Sequence, residues 1–67
     1  MKPPIGQQLY ALRLRAAKTR AQVADEAGVS ERTILNVETE RFPPSLETLQ
    51  KIADVFGRII TLSSRTR

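Results

Sequence analysis

The 67-residue chain has no cysteine and no histidine. The first absence removes disulfide staples and thiol nucleophiles. The two together remove the usual zinc sites and the commonest general base. Nowhere do about 18 consecutive apolar residues occur, and the opening "MKPPIGQQLY" has a lysine with no apolar run behind it, so neither a membrane span nor a signal segment is expected. Tyr10, the lysines and the carboxylates are too scattered to build a catalytic pocket on so small a core. The expectation is a cytoplasmic protein without cofactor or metal that is not an enzyme. Acidic residues are also in the minority, 7 against 11 basic ones, leaving a net charge of +4 and a pI near 10.4. Eight of the eleven cations are arginine, whose planar fork suits phosphate and guanine edges, a mild pointer to nucleic acid.

With 40% hydrophobic residues, the length leaves room for one small domain with a marginal core, a condition often relieved by oligomerisation. There is no internal repeat, low-complexity tract or linker. The punctuation predicts four helices. The first starts at Pro3-Pro4, where a fixed φ and a missing donor are tolerated, and runs to about Ala17 with Ile5, Leu9, Leu12 and Ala16 as its core stripe. The second starts at Thr19, with Gln22 at the reciprocal capping-box position; it carries Val23, Ala24 and Ala27 inward and ends at Gly28. The third, "GVSERTILNVE", is capped by Ser30, buries Val29, Ile34 and Val37, and stops before Pro43 and Pro44. The fourth, capped by Ser45, buries Leu46, Leu49, Ile52, Ala53 and Phe56 and closes at Gly57. Beyond it the period changes: "RIITLSS" has the β-branched alternation of a short strand.

These segments divide the chain into a helical unit over 1–57, a strand over 58–64 and a basic tail over 65–67. Helices two and three, joined by the tight "AGVS" turn, must cross steeply, as in a helix-turn-helix. Stepping about 100° per residue from Ile34 puts Arg32, Leu35, Asn36 and Thr39 on the far face of helix three. A helix fits the major groove, where Arg reads guanine, Asn reads adenine, Glu accepts from cytosine and an apolar group touches the thymine methyl. Glu31, Arg32, Asn36 and Leu35 supply all four kinds of reader. The same residues also suit an ordinary solvated face, and Leu35 serves equally as a plain surface leucine. Arg13 and Glu38 each stand about 40° off their helix's apolar stripe. A partly desolvated carboxylate there needs a partner, so a salt bridge between them is predicted.

The segments "LYALR", "VADEAGVSERTILNVE" and "PSLETLQKIADVFG" resemble the phage repressor and Cro-type (XRE) helix-turn-helix family over nearly the whole of Ile5 to Gly57. The resemblance implies an all-α, compact four-helix, lambda-repressor-like domain. It further implies pairing of the positions matching Arg13 and Glu38, and contact of those matching Ser30, Glu31, Arg32 and Asn36 with bases or phosphates. Arg20 stands where the family commonly has Gln against the sugar-phosphate backbone, and an arginine there still holds phosphate. Arg20, Gln22, Ser30, Thr33, Arg41 and Lys18 are the expected phosphate contacts. Glu40 stands where Gly is frequent, and Phe42 where an arginine or polar residue is; Phe42 either packs under Pro43 or anchors a partner.

The strand resembles the tail of HipB-like antitoxins, in which two subunits' strands pair. Arg58, Ile59, Ile60, Thr61 and Leu62 are then a dimer interface, the alternative being a tail folded back on helix one. The expected function is that of a homodimeric transcriptional repressor on a palindromic operator in double-stranded DNA, with a toxin as a further possible partner. The competing reading is a protein-binding module, toxin-neutralising or anti-activator, with little or no DNA binding.

Overall fold

In a computed structural model, residues 3–41 and 43–58 are described, and they form four helices: α1 (Ile5–Arg15), α2 (Arg20–Ala27), α3 (Glu31–Glu38) and α4 (Leu46–Val55). Three of them begin at a side-chain cap placed by the local sequence. Thr19 accepts from the Gln22 backbone N–H while Gln22 Oε1 accepts from Thr19 N–H, a full capping box. Ser30 accepts from Thr33 N–H and Ser45 from Thr48 N–H, giving α3 and α4 the same start.

α1 differs. Its N-cap is Pro4, which has no side-chain acceptor. The orphaned Gly6 N–H is taken instead by Glu40, just past the end of α3, whose Oε2 lies 2.7 Å away. A carboxylate there also meets the positive end of the helix dipole.

The helix ends share one geometry. After each helix, two backbone N–H groups turn back to carbonyls of the last turn: Ala17 to Leu14 and Lys18 to Arg13, Gly28 to Asp25 and Val29 to Ala24, Glu40 to Val37 and Arg41 to Asn36, Gly57 to Asp54 and Arg58 to Ala53. This is the Schellman pattern, which needs a left-handed residue at its centre. Gly28 and Gly57 supply it freely at φ 73° and 67°, whereas Ala17 and Glu40 adopt it at φ 57° and 58° against their own Cβ.

α2 packs on α3 and on α4, and α1 packs on α3. Leu9, Val23, Ala24, Ile34, Val37, Ile52 and Ala53 form the buried core, with Ile5, Leu12, Ala27, Val29, Leu49, Val55 and Phe56 packed around it. Two expectations are corrected. Ala16 is exposed, because α1 ends at Arg15 and the chain leaves its axis at Ala17. Leu46 is 47% exposed although it lies on the apolar stripe of α4: periodicity assigns a face, and the first turn of the helix is not covered along its length. The Arg58 N–H closes α4. The remainder of the expected strand and dimer interface, Ile59 to Leu62, lies outside the described residues, as do the basic tail and Phe42.

Replacing Ala17 with Gly relieves the left-handed strain and should stabilise the protein by about 0.5–1 kcal/mol, read as a higher thermal midpoint. The corresponding Glu40→Gly change also removes the cap on α1, so its gain should be smaller or reversed. A Cβ at Gly6 would run into the Val37 carbonyl and the Glu40 carboxylate, and Gly6→Ala should cost about 1–3 kcal/mol in chemical denaturation.

Candidate nucleic-acid interface

α2, the Gly28 turn and α3 are fixed at both ends by the caps just described, and what remains is how this unit is held on α1. Arg13 reaches across from α1. Its Nε donates to Glu38 Oε2 at 2.6 Å and its Nη2 to Glu38 Oε1 at 3.2 Å, a bidentate fork. Its Nη1 donates to the Lys18 carbonyl in the turn before α2 at 3.0 Å. The guanidinium also lies 5.3 Å from the centre of the Tyr10 ring, a cation–π contact. The side chains of Arg13 and Glu38 are 9% and 5% exposed. The Arg13 pKa is raised above its ordinary value, first by the hydrogen bond to Glu38, while burial pulls the other way.

A third charge completes the group. Arg20, the first residue of α2, donates from Nε to Glu38 Oε1 at 3.0 Å, with its side chain 39% exposed. One carboxylate thus joins α1, α2 and α3, and no buried side-chain polar atom among the described residues is left without a partner. The sequence reading gave Arg20 a phosphate and missed its tie to Glu38. The two are 18 positions apart, and no local signal links them.

On the outer face of α3, Glu31 and Arg32 are exposed and Leu35 is partly so. These three share a shallow depression with Arg20, so the start of α2 and the outer face of α3 form one surface. Asn36 is half-buried and lies on the other flank, in a groove with Thr33, Val37, Pro44 and Thr48. Of the remaining polar residues in the sequence reading, Arg41 is exposed just past α3, while four are engaged within the chain. Lys18 is bound by the Glu26 carboxylate at 2.8 Å and lines a separate groove with Leu12, Val55, Phe56 and Arg58. Gln22 is held in its capping box, and Ser30 Oγ lies 2.8 Å from Thr33 Oγ1. Among the described residues no cluster of carboxylates could hold a metal ion, and no helix is long and apolar enough to cross a membrane.

Removing the shared carboxylate isolates a buried cation. Glu38→Ala should cost roughly 1–3 kcal/mol, because Arg13 is left unpaired. Arg20→Gln should cost under about 1 kcal/mol, since that pair is partly solvated. Equal shifts of the thermal midpoint in the two variants would contradict this ranking.

A helix-turn-helix family model matches residues 9–59. The immunity repressor protein of Bacillus phage phi105 is 34% identical over 53 residues, which are 79% of this chain and 37% of that protein. The chain therefore spans little more than a third of the length of that relative. No solved structure matches. The matched residues take in all of α2, the Gly28 turn, α3 and α4, and the chain belongs to the helix-turn-helix family.

Proposed function

We propose that this domain is a sequence-specific DNA-binding transcriptional repressor that lays α3 in the major groove. The observation that carries this is the single surface formed by Arg20 with Glu31, Arg32 and Leu35, on a helix whose back is clamped through Glu38. A phage immunity repressor among the similar proteins supports the same reading. Arg32 is the base reader on that surface, with Glu31 and Leu35 beside it, and Asn36 reads from the other flank of α3, since their donors and acceptors suit guanine, adenine, cytosine and the thymine methyl. Arg20 and Arg41 supply phosphate contacts. Ser30, Thr33 and Gln22 reach the backbone only alongside their capping roles, and Lys18 only by leaving Glu26.

The operator is an inverted repeat read by a homodimer, because two α3 helices about 34 Å apart enter successive major grooves. A marginal core of this size favours association, with residues 58–62 as the candidate seam. Repression then follows from occlusion of the promoter.

Selection of the purified protein against a randomised duplex pool at near-physiological salt, where nonspecific phosphate binding is suppressed, should enrich an inverted repeat. Arg32→Ala and Asn36→Ala should each cost about 1–3 kcal/mol of operator discrimination and relax the preference at one position per half-site. A folded protein that enriches nothing would instead assign the helix-turn-helix to a protein-binding scaffold.

A further inference from the structure

Arg20 stands between two depressions. One holds Glu31, Arg32 and Leu35, and the other is a cleft lined by Gln7, Tyr10, Glu38 and Thr39. Its Nε is fixed on Glu38, and no hydrogen bond within the described residues engages its two terminal nitrogens. Arg13 and Arg20 are two positive charges on one carboxylate, so the group carries a net charge of one positive unit. Arg13 is buried and fully engaged, with Nε and Nη2 on Glu38 and Nη1 on the Lys18 carbonyl. The surplus charge is therefore presented by Arg20, the one member that is substantially exposed.

The cleft suits an anion in its neutral groups as well. The Thr39 hydroxyl spends its proton on the Leu35 carbonyl and offers none to the cleft. Tyr10 and Gln7 remain as donors on the α1 wall, and the Tyr10 ring is steadied over the Arg13 guanidinium. An arginine tied by Nε keeps its terminal pair in a fixed fork, the geometry that grips a phosphate through two parallel bonds.

We propose that Glu38 is a positioning residue for DNA: its Oε1 aims the terminal nitrogens of Arg20 at a backbone phosphate seated in the cleft between α1 and the start of α2. This role rests on the DNA-binding reading above. It makes the carboxylate that closes the fold also the one that orients a phosphate contact, so folding and backbone grip share one side chain.

The test is binding of a labelled mixed-sequence duplex between about 50 and 200 mM salt, using wild type, Arg20→Gln, Arg20→Lys, Glu38→Gln and the Arg20→Gln/Glu38→Gln pair. Arg20→Gln should lower the slope of log affinity against log salt by about 0.9, the signature of one lost phosphate contact. Arg20→Lys should keep the slope but bind several-fold more weakly, because an ammonium cannot bridge Glu38 and form the fork. Glu38→Gln should weaken binding several-fold in the wild-type background and not at all with Gln at position 20. A purely structural Glu38 would give the same loss in both backgrounds.

An unchanged slope in Arg20→Gln, wild-type affinity in Arg20→Lys, or equal Glu38→Gln losses would each overturn the proposal. If Glu38→Gln fails to fold, the two Arg20 variants still decide it. A folded wild type that binds no duplex even at the lowest salt would remove the DNA-binding reading itself, an outcome distinct from an intact wild type with a silent Arg20.

Discussion

The Glu38 carboxylate is the constraint on which this small domain turns. Nearly out of water, with a side chain 5% exposed, it is acceptable only because Arg13 meets both of its oxygens and Arg20 meets one. The consequence is geometric. α1 does not grip α3 through apolar contact alone; a directional fork fixes how far α3 is rotated, and hence which residues face outward. Glu31 and Arg32 are exposed because Ile34 and Val37 are buried and the end of α3 is pinned at Glu38. A helix held only by aliphatic packing could roll with little change in buried area.

The same economy appears just past the end of α3. Glu40 accepts a strained backbone conformation and in return its carboxylate caps α1, whose own N-cap is a proline without an acceptor. Two acidic side chains two positions apart thus bind α1 at different places, Glu38 through Arg13 and Glu40 through the Gly6 amide. Gly6 is required by this approach rather than by its torsion angle, since any Cβ would meet the Val37 carbonyl and the Glu40 carboxylate.

What was legible in the sequence was local. The starts of α2, α3 and α4 follow from Thr19, Ser30 and Ser45, because a cap and the amide it satisfies are three residues apart. The alternation of apolar residues identifies Leu9, Val23, Ile34, Val37 and Ile52 as core, and it puts Glu31 and Arg32 in solvent. What was not legible depends on distant neighbours or on conformation without a residue signature. Nothing in the letters at Ala17 and Glu40 announces a left-handed turn, so the end of α1 reads too late. Leu46 has the right phase but the wrong depth. The tie of Arg20 to Glu38 joins an exposed helix start to a buried helix end, and periodicity carries no information about such a pair. On the candidate interface, the exposure of single residues could be read, but their grouping, with Arg20 beside Arg32 and Asn36 on another flank, needed three dimensions.

The contact between Arg13 and Tyr10 makes the protein its own reporter. Tyr10 is the sole tyrosine and there is no tryptophan, so absorption and emission beyond the phenylalanine bands arise from one ring, held 5.3 Å from the buried guanidinium. The intrinsic optical signal of the chain is therefore not an average over many environments. It reads the charged junction of three helices directly, in whatever state that junction is.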